Sequence, residues 1–253
     1  ELIGRLHTDR FVLLMKHREP ERYLEMENRI REALKNSNKG PVVFKYGVYP
    51  CTDTSLPIDQ MIDSASYALD SIQQQYGRYV AFYDENVRRK KEQEQDVIDH
   101  MELAIAENQF EVYYQPKRRV KLGTAGDAEA LVRWRRSDEQ MVPPDSFIPL
   151  FERNGFIAKL DYYVWEKVCQ FLRRRMDAEL KVVPVSVNIS RSDFDQENLD
   201  EVIIGLAEQY HIPHQYLHLE ITESAYSDNP KRVKTVIPNL HDAGFKIELD
   251  DFG

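Results

Sequence analysis

The feature that most constrains this chain is the regular alternation of strand-like and helix-like segments in residues 109–253. Five segments have the composition of buried strands, namely Phe110–Gln115, Ala128–Trp134, Val182–Ile189, Leu217–Thr222 and Lys246–Asp250. Four segments between them have helical apolar spacing, namely Pro144–Glu152, Leu160–Arg175, Leu199–Tyr210 and Lys231–Ala243. Repeated βα units predict an α/β fold, either a (β/α) barrel or a doubly wound sheet. No GxGxxG follows a predicted strand, which argues against the dinucleotide-binding version.

Alternate side chains of the predicted strands place acidic and amide groups on one face. Because successive strand residues point to opposite sides, this face carries Glu129, Asn188, Glu220 and Asp250, and the other face is largely apolar. Carboxylates gathered in an interior require cations, and oxygen donors without Cys or His suit Mg²⁺ or Mn²⁺. Asp251 follows Asp250 directly, so this pair can serve two metals, as in two-metal phosphoester hydrolases.

Each of these residues also has an ordinary structural interpretation. A single Glu in a strand is usually exposed or paired, and two adjacent aspartates close to a glycine commonly form a turn. Arg133, on the same face as Glu129, either pairs with a carboxylate or binds a phosphate. The metal-site hypothesis therefore rests on the coincidence of such groups at matched strand ends.

The net charge and the cysteine content of the chain restrict which partners and which cellular compartment we expect. Lys and Arg number 34 against 43 Asp and Glu, a net charge of −9, so we expect no DNA or RNA polymer as a partner. No apolar run approaches the ~18–20 residues that span a bilayer. Cys51 and Cys169 have neither metal-site spacing nor a disulfide framework. We expect a cytoplasmic location, in a parent protein that can carry an N-terminal sensor or membrane region outside this chain.

Six short motifs give residues 109–253 a family resemblance. They are Gln115-Pro116, Glu129–Trp134 (EALVRW), Phe147–Pro149 (FIP), Val187–Ser190 (VNIS), Leu219–Ser224 (LEITES) and Asp250–Gly253 (DDFG). Together they resemble the EAL family, a group of TIM-barrel phosphodiesterases that cleave cyclic di-GMP to linear pGpG.

The resemblance implies a TIM-type (β/α) barrel, a two-metal site with Mg²⁺ or Mn²⁺, and a role for each matching residue. The residues that it assigns to metal binding are Glu129, Asn188, Glu220, Asp250 and Asp251. It assigns Glu223 to the catalytic machinery, where this residue would steady the loop that follows the DDFG aspartates. It assigns Gln115 and Arg133 to contacts with the dinucleotide.

Two features depart from the family pattern. Glu248 stands where the family has a small residue; we expect its carboxylate to pair with a buried cation, and the alternative is that it perturbs the metals. The predicted strands are also five of the eight in a TIM barrel, and the family's later catalytic Lys and a further acidic residue have no counterpart here. We expect three more βα units in the parent protein. We expect residues 1–253 alone to be poorly soluble or molten, because an unpaired strand edge invites aggregation. We expect them to be inactive as well, because the later Lys and acidic residue are missing.

Residues 1–85 are predicted to form a different kind of domain, with residues 86–108 as a helical linker to residues 109–253. Residues 5–14 (RLHTDRFVLL) resemble the signature hairpin of the GGDEF family of diguanylate cyclases. Only two signature residues survive, and the three replacements are His7 and Thr8 for glycines and Arg10 for the catalytic Glu. The resemblance therefore implies the C-terminal half of a degenerate, α+β GGDEF-like domain.

Two functional hypotheses follow. The first is a metal-dependent cyclic di-GMP phosphodiesterase with an inactive cyclase-like regulatory half. The alternative is a non-catalytic cyclic di-GMP receptor in which both halves are degenerate. The intact barrel motifs favour the enzyme, and an unrelated Mg²⁺ barrel hydrolase would require all six motifs to be accidental. Besides cyclic di-GMP, the resemblance allows a homodimer through the barrel and GTP at the cyclase-like half.

Overall fold

The boundary between the two folded units lies inside a long helix, Glu85–Ala106. A computed structural model describes residues 2–7, 9–16, 23, 25, 26, 28–30, 32, 43–51, 54–73, 75–118, 125–222, 225 and 230–250, with the backbone alone at 118, 125, 222 and 250. The units are Glu1–Gln95 and Asp96–Gly253. Among these described residues, no helix combines the length and the apolar character that crossing a bilayer requires.

The first unit contains two small sheets. Strands β1 (Leu2–Arg5) and β2 (Phe11–Leu14) pair antiparallel. Strands β3 (Tyr46–Val48) and β4 (Val80–Phe82) pair parallel, and helix α1 (Ile58–Asp70) lies between them in sequence and packs on β3. A parallel pair connected through a helix is the βαβ arrangement.

Gly47 allows α1 to lie directly on β3. A Cβ at this position would overlap the carbonyl oxygen of Ala65 and would lie 2.5 Å from the backbone nitrogen of Leu69. Both are helix backbone atoms, which cannot turn aside as a flexible side chain can. The glycine is therefore required by the close approach of two backbones.

We expect Gly47→Ala to destabilise the first unit by about 1–3 kcal/mol or more, because the added methyl group overpacks the interface between helix and strand. Both tryptophans of the chain, Trp134 and Trp165, lie in the second unit. Far-UV circular dichroism should therefore show a lowered transition, while the tryptophan fluorescence transition stays in place. Gly205→Ala is the control, since its Cβ meets nothing within 4 Å in a helix. Equal melting of Gly47→Ala and the parent would contradict the packing argument.

The second unit is built around one mixed sheet with the order β10-β9-β8-β6-β5 and with β7 paired to β6. Its strands are β5 (Phe110–Arg118), β6 (Ala125–Arg135), β7 (Met141–Val142), β8 (Val185–Ile189), β9 (Leu217–Thr222) and β10 (Lys246–Asp250). The helices that follow α1 are α2 (Glu85–Ala106), α3 (Pro144–Asn154), α4 (Ile157–Asp177), α5 (Leu199–Gln209) and α6 (Pro230–Asp242). The predicted α/β alternation is confirmed.

Strand β5 departs from the parallel arrangement of a regular (β/α) barrel. It runs antiparallel to β6, from Phe110 opposite Trp134 to Gln115 opposite Glu129 and beyond. Only residues 119–124 separate the two strands, and a parallel pair needs a crossover of about a dozen residues or more. From β6 to β10 the neighbours in the sheet order pair parallel, each with helical sequence between them. Closure into a TIM-type barrel stays a prediction.

The core of the second unit lies between the sheet and its helices. An aromatic cluster of Phe110, Trp134, Phe147 and Phe151 is almost fully buried, with neighbouring ring centroids 5.1–6.1 Å apart. On β9 the apolar face, residues 217, 219 and 221, is 1% exposed at each position. The predicted division of this strand into an apolar and a polar face is therefore confirmed.

Candidate functional site

The polar face of the central strands brings the predicted metal ligands together. Asn188 on β8 lies directly opposite Glu220 on β9, and paired strands are about 5 Å apart. Glu129 on β6 lies opposite Ser186, which is two residues before Asn188. Asp250 ends β10, two residues beyond the position that faces Glu220. The backbone register therefore gathers four predicted ligands on one face of adjacent strands.

These ligands differ in their exposure to solvent. The Glu220 carboxylate is buried, and its residue is 2% exposed. Glu129 is half-buried and Asn188 is exposed. A carboxylate as buried as that of Glu220 is costly unless a cation accompanies it.

Three predicted site residues lie partly or wholly outside the described part of the chain. Asp250 has a described backbone, which continues β10, but its side chain is outside the described atoms. Asp251 and Glu223 lie outside the described residues altogether. Their assigned roles in metal binding and catalysis stay predictions.

Hydrogen bonds fix the backbone around Asn188. The indole Nε1 of Trp165 donates to the Asn188 carbonyl oxygen at 3.0 Å. Two residues later, the Ser190 backbone N–H and hydroxyl both donate to Asp193 Oδ2, at 2.7 and 2.9 Å, and form a capping box. The backbone at the end of β8 is therefore fixed by Trp165 at Asn188 and by Asp193 at Ser190, independently of any bound ion.

The Asp193 carboxyl group of this capping box interacts with a second carboxyl group, that of Asp161 on α4. Desolvation and the negative charge of Asp193 raise the pKa of Asp161 well above its usual range. Desolvation also raises the pKa of Asp193, although hydrogen bonds from Ser190 and Asp161 oppose this effect. We therefore expect the pair to share one proton, which Asp161 holds and donates to the Asp193 carboxylate.

A raised pKa in the folded state makes stability fall as the pH rises from about 4 through the folded pKa, since the folded chain then holds a proton that the unfolded chain has lost. We expect Asp161→Asn to weaken this fall in the free energy of unfolding between acidic and neutral pH, because the amide N–H can donate to Asp193 without a titratable proton. The measurement is urea unfolding, followed by tryptophan fluorescence, near pH 5 and pH 8. Asp242→Asn, at an exposed position, is the control. Identical pH profiles for Asp161→Asn and the parent would exclude the shared proton.

The two predicted substrate-binding residues lie on β5 and β6. Gln115 is exposed and is paired with Glu129 across the antiparallel register. Arg133 Nη1 donates to the Val132 carbonyl oxygen at 2.8 Å, and its guanidinium lies 5.9 Å from the Tyr113 ring centroid. Within the described residues Arg133 forms no ion pair with a carboxylate, which leaves its remaining donors for a ligand.

A second layer of polar side chains lies one step below the predicted ligands, and the motifs of the sequence did not reveal its role. Four of its members stand two residues before a predicted ligand, namely Asp127, Ser186, His218 and Glu248. The fifth member, Lys117, stands two residues after Gln115 on the antiparallel strand β5. The ligand-type atoms of Asp127, His218 and Glu248 lie within 4.8 Å of one another. The signal was available, because the alternation that selected the ligands selects these residues as well.

Glu248 pairs with cations, as expected from the sequence, but the two lysines, Lys117 and Lys246, are not buried, with side chains 32% and 55% exposed. Lys117 Nζ lies 3.0 Å from Glu248 Oε2, Lys246 Nζ lies 2.6 Å from Oε1, and His218 Nδ1 lies 3.1 Å from Oε1. Desolvation tends to raise the pKa of Glu248, but hydrogen bonds from Lys246 and Lys117 and their charges outweigh it and lower the pKa to about 2. Burial, with the charge of Lys246, lowers the pKa of His218. Glu248 is therefore an ionised carboxylate between two lysines.

The Lys117 ammonium group also forms an ion pair with Glu220 Oε1. Glu220 and Glu248 lie directly opposite each other on β9 and β10. Like charges in this position destabilise a sheet. Lys117 thus lies between two carboxylates that would otherwise repel each other.

Comparison with known proteins places this geometry in a family context. Residues 98–253 match the sequence model of the family described as EAL domain. The cyclic di-GMP phosphodiesterase NbdA of Pseudomonas aeruginosa is 29% identical over 195 residues, which cover 77% of this chain and 25% of NbdA. The bifunctional diguanylate cyclase/cyclic di-GMP phosphodiesterase MucR of the same organism is 24% identical over 260 aligned residues, which cover 100% of this chain and 38% of MucR.

Solved structures give a consistent result. The structure described as PaMucR phosphodiesterase, c-di-GMP complex, is 26% identical and superposes with a TM-score of 0.58, over 62% of this chain and 64% of that one. The chain spans between about a fifth and two fifths of the length of the curated relatives it matches.

Proposed function

The chain belongs to the EAL domain family, and from this premise we propose that its second unit is part of a metal-dependent phosphodiesterase that hydrolyses cyclic di-GMP to linear pGpG. The observation that carries the proposal is the buried Glu220 carboxylate, directly opposite Asn188 and on one face with Glu129 and Asp250. The relatives named as cyclic di-GMP phosphodiesterases support the substrate.

The donor set fits a hard divalent cation. Glu129, Glu220 and Asp250 offer carboxylate oxygens and Asn188 offers an amide oxygen, the ligand types that Mg²⁺ and Mn²⁺ prefer. These residues would hold one ion, and Asp250 with Asp251 would hold a second. When bound, the ions would supply Lewis-acid chemistry and offset the negative charge that develops on the phosphoryl oxygens.

The substrate would be positioned by side chains beside the donor set. Arg133 lies on the same face of β6 as Glu129 and has guanidinium donors that match phosphate oxygens. Gln115 is exposed next to Glu129, so its amide group is accessible to a ligand. Glu223 would steady the loop that follows Asp251.

For the first unit, we propose a regulatory role as an inactive GGDEF-like half. Support comes from residues 5–14, which resemble the signature hairpin and in the structure include the antiparallel pair of β1 and β2, with Arg5 opposite Phe11. Arg10, where the resemblance puts a catalytic Glu, forms an ion pair with Asp70 at 2.8 Å. MucR, whose name includes a diguanylate cyclase, aligns with all of this chain.

We expect Asp250→Asn in the full-length protein to lower the rate of pGpG formation by about 100-fold or more, because the amide keeps the size of the side chain but loses the charge that would hold the ions. The assay is chromatographic separation of pGpG after incubation of cyclic di-GMP with Mn²⁺ or Mg²⁺. Asp242→Asn, which removes an exposed carboxylate of the same type, should keep the parent rate.

Two outcomes of this assay would contradict the proposed function. Cleavage by Asp250→Asn at the parent rate would place the centre elsewhere. Binding of cyclic di-GMP by the parent protein without any pGpG would instead favour the non-catalytic receptor.

We also expect the full-length protein to make no cyclic di-GMP from GTP and Mg²⁺. The replacement of glycines by His7 and Thr8 adds side chains where a backbone must approach the nucleotide phosphates, and Arg10 reverses the charge of the catalytic Glu. An active diguanylate cyclase assayed in parallel is the positive control. Any Mg²⁺-dependent synthesis above the blank would refute the expected inactivity.

A further inference from the structure

One lysine connects the two layers of the polar interior. Lys117 lies on β5, and the carboxylates that it contacts belong to β9 and β10, with a sequence separation of 131 between Lys117 and Glu248. The Glu220 side chain is 3% exposed, that of Glu248 is 20% exposed and that of Lys117 is 32% exposed. The ammonium group therefore reaches from a partly open position into the buried carboxylates.

The two carboxylates require this cation while no metal ion is bound. Glu220 and Glu248 are direct register partners on parallel strands, and repulsion between like charges is strong where solvent is excluded. Lys117 contacts Oε1 of Glu220 and Oε2 of Glu248, so one positive charge lies between both negative charges and reduces their repulsion.

Lys117 occupies the same carboxylate oxygen that a metal ion would need. Glu220 is a proposed ligand, and its Oε1 is in contact with the Lys117 ammonium group. A divalent ion bound at this oxygen would repel the ammonium group, which must then withdraw. The four-carbon stem of lysine allows such a movement without a change of backbone.

Lys246 does not duplicate this arrangement. Its Nζ lies 2.6 Å from Glu248 Oε1 and 3.9 Å from Asp127 Oδ2, and its side chain is 55% exposed. Among the described residues, the ion pair with Glu220 is made by Lys117 and not by Lys246. Lys246 therefore keeps Glu248 compensated when Lys117 leaves.

We propose that Lys117 is the built-in counter-cation of the metal centre: it stabilises Glu220 and Glu248 in the metal-free protein and competes with the divalent ion for Glu220. This inference rests on the proposed function, because it takes Glu220 as a metal ligand. Its consequence is that Lys117 lowers the metal affinity of the parent protein while it raises the stability of the metal-free form.

The test compares Mn²⁺ binding and thermal unfolding of four full-length proteins: the parent, Lys117→Met, Lys117→Gln and Lys246→Met. Mn²⁺ is titrated calorimetrically and by the loss of the free-ion electron paramagnetic resonance signal. We expect Lys117→Met to bind Mn²⁺ about tenfold more tightly than the parent, since no ion pair must be broken first. Lys117→Met should also melt at a lower temperature without metal and gain more from added Mn²⁺.

The other two variants separate this effect from a general loss of charge or of folding. Lys246→Met removes the same charge from the same cluster but leaves the Lys117–Glu220 pair, so its Mn²⁺ affinity should stay within about twofold of the parent. Lys117→Gln keeps a hydrogen-bond donor for the buried carboxylates and supplies the measurement if Lys117→Met does not fold. It too should bind Mn²⁺ more tightly than the parent.

The outcomes distinguish the inference from the function on which it rests. If the parent binds no Mn²⁺, the proposed metal centre is wrong, and the role of Lys117 is wrong with it. If the parent binds Mn²⁺ and the Lys117 variants bind it equally or more weakly, the competing role is overturned while the metal centre stands. If Lys246→Met tightens binding as much as Lys117→Met, the effect is one of overall charge, and the assignment to Lys117 is refuted.

Discussion

The polar interior of the second unit depends on the charge balance between Glu220, Glu248 and Lys117. Two carboxylates directly opposite each other on neighbouring parallel strands repel, and burial strengthens that repulsion. The strands can nevertheless pair in this register because Lys117 contacts both carboxylates from β5. Strand β5 reaches this position only because it runs antiparallel to β6, which brings Lys117 opposite Asp127 at the lower end of the site. The antiparallel direction of β5 and the contact of Lys117 with both carboxylates therefore depend on each other.

The register that creates this constraint is set by the apolar face. Residues 217, 219 and 221 of β9 are buried against the helices, and a slip of one residue would turn them into the polar interior. At the end of β8, hydrogen bonds from Trp165 to Asn188 and from Ser190 to Asp193 likewise fix the backbone. The positions of the proposed ligands thus follow from core packing and hydrogen bonds within the protein, and an ion would meet a site whose backbone is already fixed.

Local patterns in the sequence predicted the elements well and the contacts between distant elements poorly. The bounds of β9 and β10 were predicted to the residue, since apolar alternation and the flanking helical spacing define them. The antiparallel direction of β5 was missed, although the short connection 119–124 contains the reason for it. The pairing of Glu248 with a cation was predicted, but the identity of that cation was not. Lys117 is more than a hundred residues away, and only the folded structure reveals the contact.

The two polar layers differ in how their charge is compensated. In the lower layer, Lys117 and Lys246 face Glu248, and Lys246 also lies near Asp127. The upper layer consists of the proposed ligands Glu129, Asn188, Glu220 and Asp250. Among them, Glu129 forms no ion pair with any described residue. Glu220 takes its positive charge from the layer below. The protein therefore neutralises the lower layer with its own side chains, whereas Glu129 in the upper layer has no cationic partner among the described residues. This difference supports the proposal that divalent ions bind at the upper layer, and the two lysines explain how a further carboxylate such as Glu248 is tolerated one step below.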